Sequence, residues 1–166
     1  MPDVTTTYLQ MTAAAQLRPR RSNEREFVIR EETAHHWQRN RSLYLLVGEP
    51  WGWVDKQRWS EEEWQNYVAT DHLRTFVAFC KDSVAGYYEL RRDESNAVEI
   101  AYFGLARGFI GRGLGGPLLT HALEEAWAWG AERVWVHTCT LDHPAALQNY
   151  QDRGMRIYDQ QTKHLA

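Results

Sequence analysis

The sequence predicts an α/β fold built on a mixed, mostly antiparallel central sheet that is flanked by helices. Three observations favour this class. Short alternating apolar runs are separated by turn residues, several longer segments show helical spacing, and residues 97–139 read as strand, helix, strand. A crossover of that length lets two strands pair in parallel. The length of 166 residues predicts a single domain, 1–166.

The first half of the chain predicts two strands and two helices. A polar loop with four arginines, 17–25, separates the strands. Ser60 followed by Glu63 has the spacing of a capping box, which predicts where the second helix begins. The predicted elements are strands at 5–14 and 26–31 and helices at 33–48 and 60–69.

The second half predicts an antiparallel meander followed by the strand–helix–strand segment. Short polar turns join the first three strands, and Gly130 ends the helix that follows them. Pro144 suits the first turn of a last helix, which stops at Gly154. The predicted elements are strands at 75–82, 83–92, 97–105, 133–139 and 155–162 and helices at 112–129 and 143–154.

Charge and composition exclude several classes of protein. The net charge of −3 argues against a general polyanion binder, so loop 17–25 is interpreted as solvated and no nucleic-acid partner is expected. No apolar run reaches the roughly 18 residues of a membrane span, and the start lacks a signal-peptide pattern. Cys80 and Cys139 lie in apolar runs, which is typical of buried thiols in a reducing compartment. We therefore expect a cytoplasmic protein without a membrane partner.

The turn "IGRGLGG" at 110–116 predicts an anion site. Glycines let the backbone approach a ligand closely, successive N–H groups form a nest, and the next helix adds its positive N-terminus. The Lys-Ser/Thr of a P-loop is missing, because Gly116 and Pro117 stand there. A dinucleotide-binding turn would follow the first strand of a parallel unit, whereas this turn follows a meander. A pyrophosphate group is the ligand that this turn predicts, and a tight turn without a ligand is the alternative.

These residues resemble the GNAT superfamily of acetyl-CoA-dependent N-acetyltransferases, with the cofactor-binding core at about 75–160. The family's Gln/Arg-x-x-Gly-x-Gly/Ala turn is matched at Gly113 and Gly115, with Ile110 replacing the polar residue. A second motif is matched by Ala146, Tyr150 and Gly154. The resemblance implies acetyl-CoA as co-substrate, no metal, and cofactor contacts at Phe103, Gly104, Leu105, Gly111, Arg112, Gly113, Leu114, Gly115, Gly116, His143, Ala146 and Tyr150.

Three residues are candidates for catalysis. By the resemblance, Tyr150 protonates the departing sulfur; otherwise it is an ordinary helix aromatic. Glu99 interrupts an apolar strand, and a carboxylate there costs free energy unless it is paired or used. It is the candidate base, with pairing to Arg91 or Arg92 as the alternative. Strict alternation puts Glu99, Ala101 and Phe103 on one face of that strand and Tyr102 on the other. His143 replaces the family's Asn, as a second base, a cofactor contact or a helix cap.

The acceptor site is assigned to the tryptophan-rich segment, since five of the eight tryptophans lie between residues 37 and 64. Trp51, Trp53 and Trp59 are expected to shape a slot for a planar or cationic acceptor, and Asp55 to attract an ammonium. The acceptor is then a small-molecule amine or a peptide or protein amine, and a homodimer is left open. A non-catalytic acyl-CoA-binding or regulatory module is the alternative function.

Overall fold

A seven-stranded sheet forms the centre of the protein in the computed structural model, which describes residues 3–164. The spatial order is β2-β3-β4-β5-β6-β1-β7, and every neighbouring pair is antiparallel except β5 and β6. The predicted mixed, mostly antiparallel α/β sheet is therefore confirmed. The strands are β1 (Asp3–Met11), β2 (Phe27–Glu32), β3 (Leu73–Cys80), β4 (Ser83–Arg92), β5 (Ala97–Leu105), β6 (Arg133–Cys139) and β7 (Arg156–His164).

Four helices flank the sheet over residues 3–164: α1 (Trp37–Gly48), α2 (Glu61–Val68), α3 (Gly115–Ala128) and α4 (Ala146–Asp152). On one face, α3 buries the apolar stripe that the sequence predicts, against β-strand side chains and Tyr150 of α4. On the other face, α1 and α2 pack through two smaller clusters that include Tyr44, Trp64 and Val47. No helix within this range is long and apolar enough to cross a membrane.

Three of the predicted helices begin later than the sequence suggests. The predicted helix 33–48 starts at Trp37, because His35 adopts a φ of +50°, which no α-helix accommodates. The helix predicted at 112–129 starts at Gly115, since Gly113 has a φ of +76°. The helix predicted at 143–154 starts at Ala146, after a turn in which His143 Nδ1 accepts from the Ala145 N–H at 2.9 Å.

Helix α2 begins where the capping box predicts. Ser60 Oγ accepts from the Glu63 N–H at 3.2 Å, and Glu63 Oε1 accepts from the Ser60 N–H at 3.4 Å. Both donors would otherwise be unpaired at the helix start. This cap fixes where the tryptophan-rich loop 51–59 joins the helix layer.

A β-bulge in β5 changes which side chains share a face. Glu89 of β4 lies opposite Tyr102, but Leu90 lies opposite Ile100, so Ala101 is an additional residue in β5. The predicted alternation is therefore wrong beyond Ile100. Glu99 and Tyr102 share the face covered by α1 and α2, whereas Phe103 points to the α3 side.

Strands β5 and β6 separate soon after they meet. They pair only from Ala97 to Glu99, opposite 133–135. From Ile100 to Leu105, β5 pairs with β4 alone, so its other backbone edge is open. The separation of these two parallel strands opens a cleft in the middle of the sheet.

Candidate active site

A cleft of about 750 Å³ enters the molecule where β5 and β6 diverge. Its walls come from the open edge of β5, the start of α3, helix α4 and the loop 51–56. Its size lies within the range of small-molecule and cofactor sites. The cleft brings together both halves of the predicted site, the glycine turn at one end and the tryptophan-rich loop at the other.

The glycine turn at the first end has the conformation that an anion cradle needs. Gly111 and Gly113 adopt φ values of +83° and +76°. A Cβ on either would meet no atom within 4 Å, so the backbone conformation, and not crowding, selects glycine there. Asn149 Nδ2 donates to the Gly115 carbonyl at 3.1 Å and ties α4 to the turn. The turn thus presents the start of α3 to the cleft.

Two arginines reach the same point, and sequence reasoning missed both. A Cβ on Gly116 would collide with the Arg153 guanidinium and with Cδ of Arg20. Arg153 is 8% exposed, and its Nε and Nη1 have no hydrogen-bond partner among residues 3–164. Burial lowers the pKa of this guanidinium. The first turn of α3 carries no acidic residue, so two cations and a positive helix end converge there, with Asp152 as the carboxylate that acts on Arg153. This donor set fits a pyrophosphate.

The arginine-rich loop 17–25 is not simply solvated. Arg21 makes a two-pronged ion pair with Glu124 of α3, at 2.6 and 2.9 Å. The backbone N–H of Arg20 donates to Thr120 Oγ1 at 2.9 Å, and the Arg20 side chain lies in the cleft wall. Arg112, predicted as a cofactor contact, instead lies 3.5 Å from Glu24 and is not part of that wall.

Tyr150 lies at the centre of the cleft. It is 5% exposed, packs on Phe103 with ring centroids 6.0 Å apart, and lines the cavity. Burial raises the pKa of its hydroxyl, so Tyr150 stays protonated at neutral pH. Phe103, Gly104, Leu105 and Ala146 line the same cavity, as their predicted cofactor role requires.

Glu99 lies across the cleft, at the point where β5 and β6 separate. Its side chain is 18% exposed, and Oε2 is 3.9 Å from Nε2 of His137 on β6. Arg91 is its register neighbour, but no ion pair joins them among the described residues. The predicted base therefore borders an imidazole, and the alternative pairing with Arg91 or Arg92 is not what the structure shows.

His143 and Trp51 form one corner of the cleft. Their rings meet edge to face with centroids 5.0 Å apart, and both line the cavity. His143 Nδ1 is used by the turn before α4, which leaves Nε2 as the nitrogen for any contact in the cleft. His143 therefore supports the turn before α4, as the helix-cap alternative expects, but the N-cap residue is Ala145.

The loop 51–59 closes the second end of the cleft. Asp55 accepts hydrogen bonds from the hydroxyls of Tyr44 and Tyr102. Burial alone would raise the pKa of Asp55, but these bonds and the ammonium of Lys56 outweigh burial and lower it. The ammonium beside Asp55 belongs to the next residue, Lys56, so the predicted role of Asp55 toward an acceptor stays a prediction. Trp53 lines the cleft, whereas Trp59 lies behind Lys56 and outside the cavity wall.

A second carboxyl group, Glu89 on β4, lies beneath this end of the cleft. It is 2% exposed and accepts from Asn40 Nδ2 at 3.2 Å and from the Tyr67 hydroxyl at 3.1 Å. Burial raises its pKa to about 7. The sequence signal was an acidic residue inside the apolar run "AGYYEL", the same signal that singled out Glu99.

The cysteines and histidines near β6 show no metal geometry. Asp142 Oδ2 accepts from Thr138 Oγ1 at 2.6 Å and from the Cys139 N–H at 2.9 Å, so it organises a turn. Within the described residues, no group of three or more His, Cys, Asp or Glu side chains could hold a metal ion. Cys80 is buried, Cys139 is half-buried at the cleft wall, and both are unpaired.

Comparison with known proteins gives one family. A sequence profile described as the acetyltransferase (GNAT) family matches residues 30–155, which extends well upstream of the predicted core. Mycothiol acetyltransferase from Corynebacterium aurimucosum is 30% identical over 141 residues, covering 79% of this chain and 45% of that protein. The one from Corynebacterium efficiens is 28% identical over 131 residues, covering 77% and 42%. The chain therefore spans less than half the length of these relatives.

Solved structures share the fold. A GCN5-related N-acetyltransferase from Sphaerobacter thermophilus has a TM-score of 0.73 at 16% identity, covering 96% of this chain and 50% of that one. An aminoglycoside acetyltransferase from an uncultured soil metagenomic sample has a TM-score of 0.65 at 16% identity, covering 80% and 90%. An IAA acetyltransferase from Bacillus cereus has a TM-score of 0.59 at 28% identity, covering 80% and 79%.

Proposed function

The chain belongs to the acetyltransferase (GNAT) family, and on that premise we propose that it transfers an acetyl group from acetyl-CoA to an amine. The reaction is a direct attack within a ternary complex. The observation that carries this proposal is the set of groups that meet in one cleft. An anion cradle, an open strand edge, a buried tyrosine and a carboxylate all line it, between the start of α3 and the loop 51–56.

The donor end holds the pyrophosphate of acetyl-CoA. Backbone N–H groups of the turn 111–116 and the start of α3 face it, and Arg20 and Arg153 add positive charge. The open edge of β5 at 103–105 pairs with the pantetheine amides as an additional strand would. Acetyl-CoA supplies the activated acyl group as a thioester. The cradle and the strand edge together fix its position before an amine arrives.

The protein's own groups then manage protons. An alkylamine has a pKa of about 10.4 and arrives protonated, so it must lose a proton before it attacks. Glu99 takes this proton, directly or through a water molecule, with His137 beside it. A backbone N–H of β5 polarises the carbonyl. As the C–N bond forms and the C–S bond breaks, the Tyr150 hydroxyl, kept protonated by burial, gives its proton to the departing sulfur. The proton that the nitrogen loses as the amide forms restores the hydroxyl.

The acceptor is an amine bound between Glu99 and the loop 51–56. Aminoglycoside, IAA and mycothiol acetyltransferases appear among the similar proteins, so the shared fold accommodates different acceptors. Asp55, Trp51 and Trp53 belong to the wall at this end.

A cytoplasmic location is part of the proposal, supported by the two unpaired thiols. A homodimer is also proposed, because every residue of the edge strand β7 is exposed.

Release of free thiol from acetyl-CoA, measured against a panel of amines, tests this function. We expect turnover with at least one amine, and at least a tenfold fall in kcat for Tyr150→Phe, which is about 1.4 kcal/mol of barrier. Tight CoA binding without thiol release for any amine would favour the non-catalytic acyl-CoA-binding module instead.

A further inference from the structure

An aromatic box at the acceptor end of the cleft is filled by an ammonium group of the chain itself. Lys56 Nζ lies 4.4 Å from the ring centroid of Trp59, 4.7 Å from that of Tyr67 and 4.6 Å from that of Tyr102. It also donates to the Tyr102 hydroxyl at 2.7 Å and lies 3.5 Å from Asp55 Oδ2. Three ring faces with a carboxylate are the arrangement by which proteins recognise ammonium ligands. We call Asp55, Trp59, Tyr67 and Tyr102, with the space between them, the ammonium box.

The box lies where the cleft meets the hydrophobic cluster under α1 and α2, to which Tyr67, Trp59 and Tyr102 also belong. Asp55, Lys56, Tyr67 and Tyr102 all line the cavity, and the Lys56 side chain is 10% exposed. Because of the bulge, Tyr102 shares a face of β5 with Glu99, three residues earlier. At about 3.3 Å per residue, the two Cα atoms are at most about 10 Å apart. A ligand of a few carbons can therefore reach from the box to Glu99.

The charges around the box favour a cation. Glu89 lies directly behind Tyr67, which donates to it, and Asp55 forms the opposite side. The competing positive charge is Arg91, whose guanidinium covers the Tyr67 ring at 4.9 Å. With Lys56 absent, two carboxyl groups and three ring faces would surround the space. The box would then present a site for an ammonium group from outside.

Lys56 is held in a way that permits its exchange. Asp55, at 3.5 Å, is the one carboxylate within 4 Å of Nζ in the part of the chain that the structure describes. Burial lowers the pKa of Lys56, although the charges of Asp55 and Glu89 act in the opposite direction. The residue lies on a surface loop next to Val54, which is 67% exposed. The ammonium lies at the end of a long, flexible side chain, so its exchange needs rotation of that side chain and not movement of the backbone.

We propose that the ammonium box binds a second, non-reacting ammonium group of the acceptor, and that Lys56 is a tethered competitor which the acceptor displaces. This inference rests on the proposed function and names its substrate class: a diamine or polyamine. One nitrogen enters the box as the ammonium, while the other loses its proton near Glu99 and is acetylated. Lys56 then sets a threshold, because an acceptor with one nitrogen that displaces it leaves no nitrogen at Glu99.

A matched pair of amines and a matched pair of variants test the proposal. The probes are 1,5-diaminopentane and n-pentylamine, which differ only in the second ammonium. The variants are Lys56→Met, which keeps the apolar stem, and Lys81→Met, an exposed lysine on the β3–β4 turn. The measurements are KM by thiol release and, independently of turnover, Kd by calorimetry on the CoA-bound protein. Lys56→Gln serves if the Met variant does not fold.

If Lys56 fills the box in about nine of ten molecules, its removal should tighten diamine binding about tenfold. The kcat/KM for n-pentylamine should stay unchanged, because a monoamine that occupies the box leaves no nitrogen at Glu99, and Lys81→Met should match the parent protein with both probes. A Lys56 variant that binds the diamine no more tightly, or gains equally in kcat/KM with both probes, overturns the inference while amine turnover leaves the proposed function intact. Tighter diamine binding without thiol release would instead support the box and refute the catalysis.

Discussion

Replacing Arg153 with Met should stabilise the ligand-free protein and weaken its affinity for acetyl-CoA. Arg153 is 8% exposed, and two of its donor atoms have no partner among residues 3–164. It packs on Gly116 in the first turn of α3, where the helix dipole is unfavourable for a cation. An anion bound in the cradle would satisfy both the donors and the charge. The same side chain therefore acts in opposite directions in the free and the bound state.

The magnitudes follow from the unpaired atoms. A buried donor without a partner costs about 1–3 kcal/mol. Met fills similar space without polar atoms, so Arg153→Met should raise the free energy of unfolding by about 1–3 kcal/mol. For a domain of this size each kcal/mol raises Tm by about 2–4 °C. A charged hydrogen bond to phosphate contributes about 1.5–3 kcal/mol, so Kd for CoA should rise about 10- to 150-fold.

Thermal unfolding without ligand and calorimetric titration with CoA measure the two effects separately. Arg156→Met, which removes an exposed arginine of β7 three residues later, is the control and should change neither quantity appreciably. A lower Tm together with unchanged CoA affinity would refute the reasoning. Arg153 would then be a structural residue, and the charges around Gly116 would need another explanation.

Three further changes test other parts of the cleft. Gly113→Val should abolish CoA binding and leave the overall fold intact by circular dichroism, because Gly113 has a φ of +76° and no atom within 4 Å of a Cβ; unchanged affinity would misplace the pyrophosphate. Glu99→Gln should lower kcat by about 100-fold or more if it is the base, with CoA affinity unaffected as the control. The third concerns Glu89, whose pKa burial raises from 4.5 to about 7. The folded state holds this proton longer than the unfolded state, so stability is full below about pH 4.5 and falls by about 3 kcal/mol as pH rises to 7. Denaturant titrations should show this slope, and its persistence in Glu89→Gln would assign it to other groups.

The middle of the sheet was predictable because its signals are local. The predicted strands 83–92, 97–105 and 133–139 have the observed bounds of β4, β5 and β6. Alternating apolar side chains mark such strands, and the turn before β4 is confined to Lys81 and Asp82, which adopt φ values of +51° and +67°. Two adjacent residues with positive φ stop one strand and start the next. Pattern and turn chemistry therefore point to the same boundaries.

The β-bulge at Ala101 could not be predicted, because no residue type marks it. The run "EIAYF" contains no glycine or proline that would signal an irregularity. The bulge arises from pairing with β4, which a single strand does not encode. Its consequence is functional, since it moves Tyr102 to the face of Glu99 and carries Phe103 to the face of Tyr150. The additional residue thus directs Glu99 and Tyr102 to the acceptor side of β5 and Phe103 to the donor side.

The two ends of the cleft differ in how their charges are compensated, and this difference explains what the sequence revealed. At the donor end the signal is a run of neighbouring glycines, which is visible because one short segment builds the cradle. At the acceptor end the sequence marks only the loop 51–59, by its tryptophans and Asp55; Tyr67, Glu89 and Tyr102 come from α2, β4 and β5, and no spacing in the sequence connects them to that loop. There the cations and carboxylates already satisfy one another, through Lys56, Asp55 and Tyr102. At the donor end Nε and Nη1 of Arg153 have no partner among residues 3–164, which fits a site that an anionic ligand completes. The sequence does not reveal the specificity of a site in which a cation of the chain already pairs with the binding groups, because the cation and those groups belong to different elements.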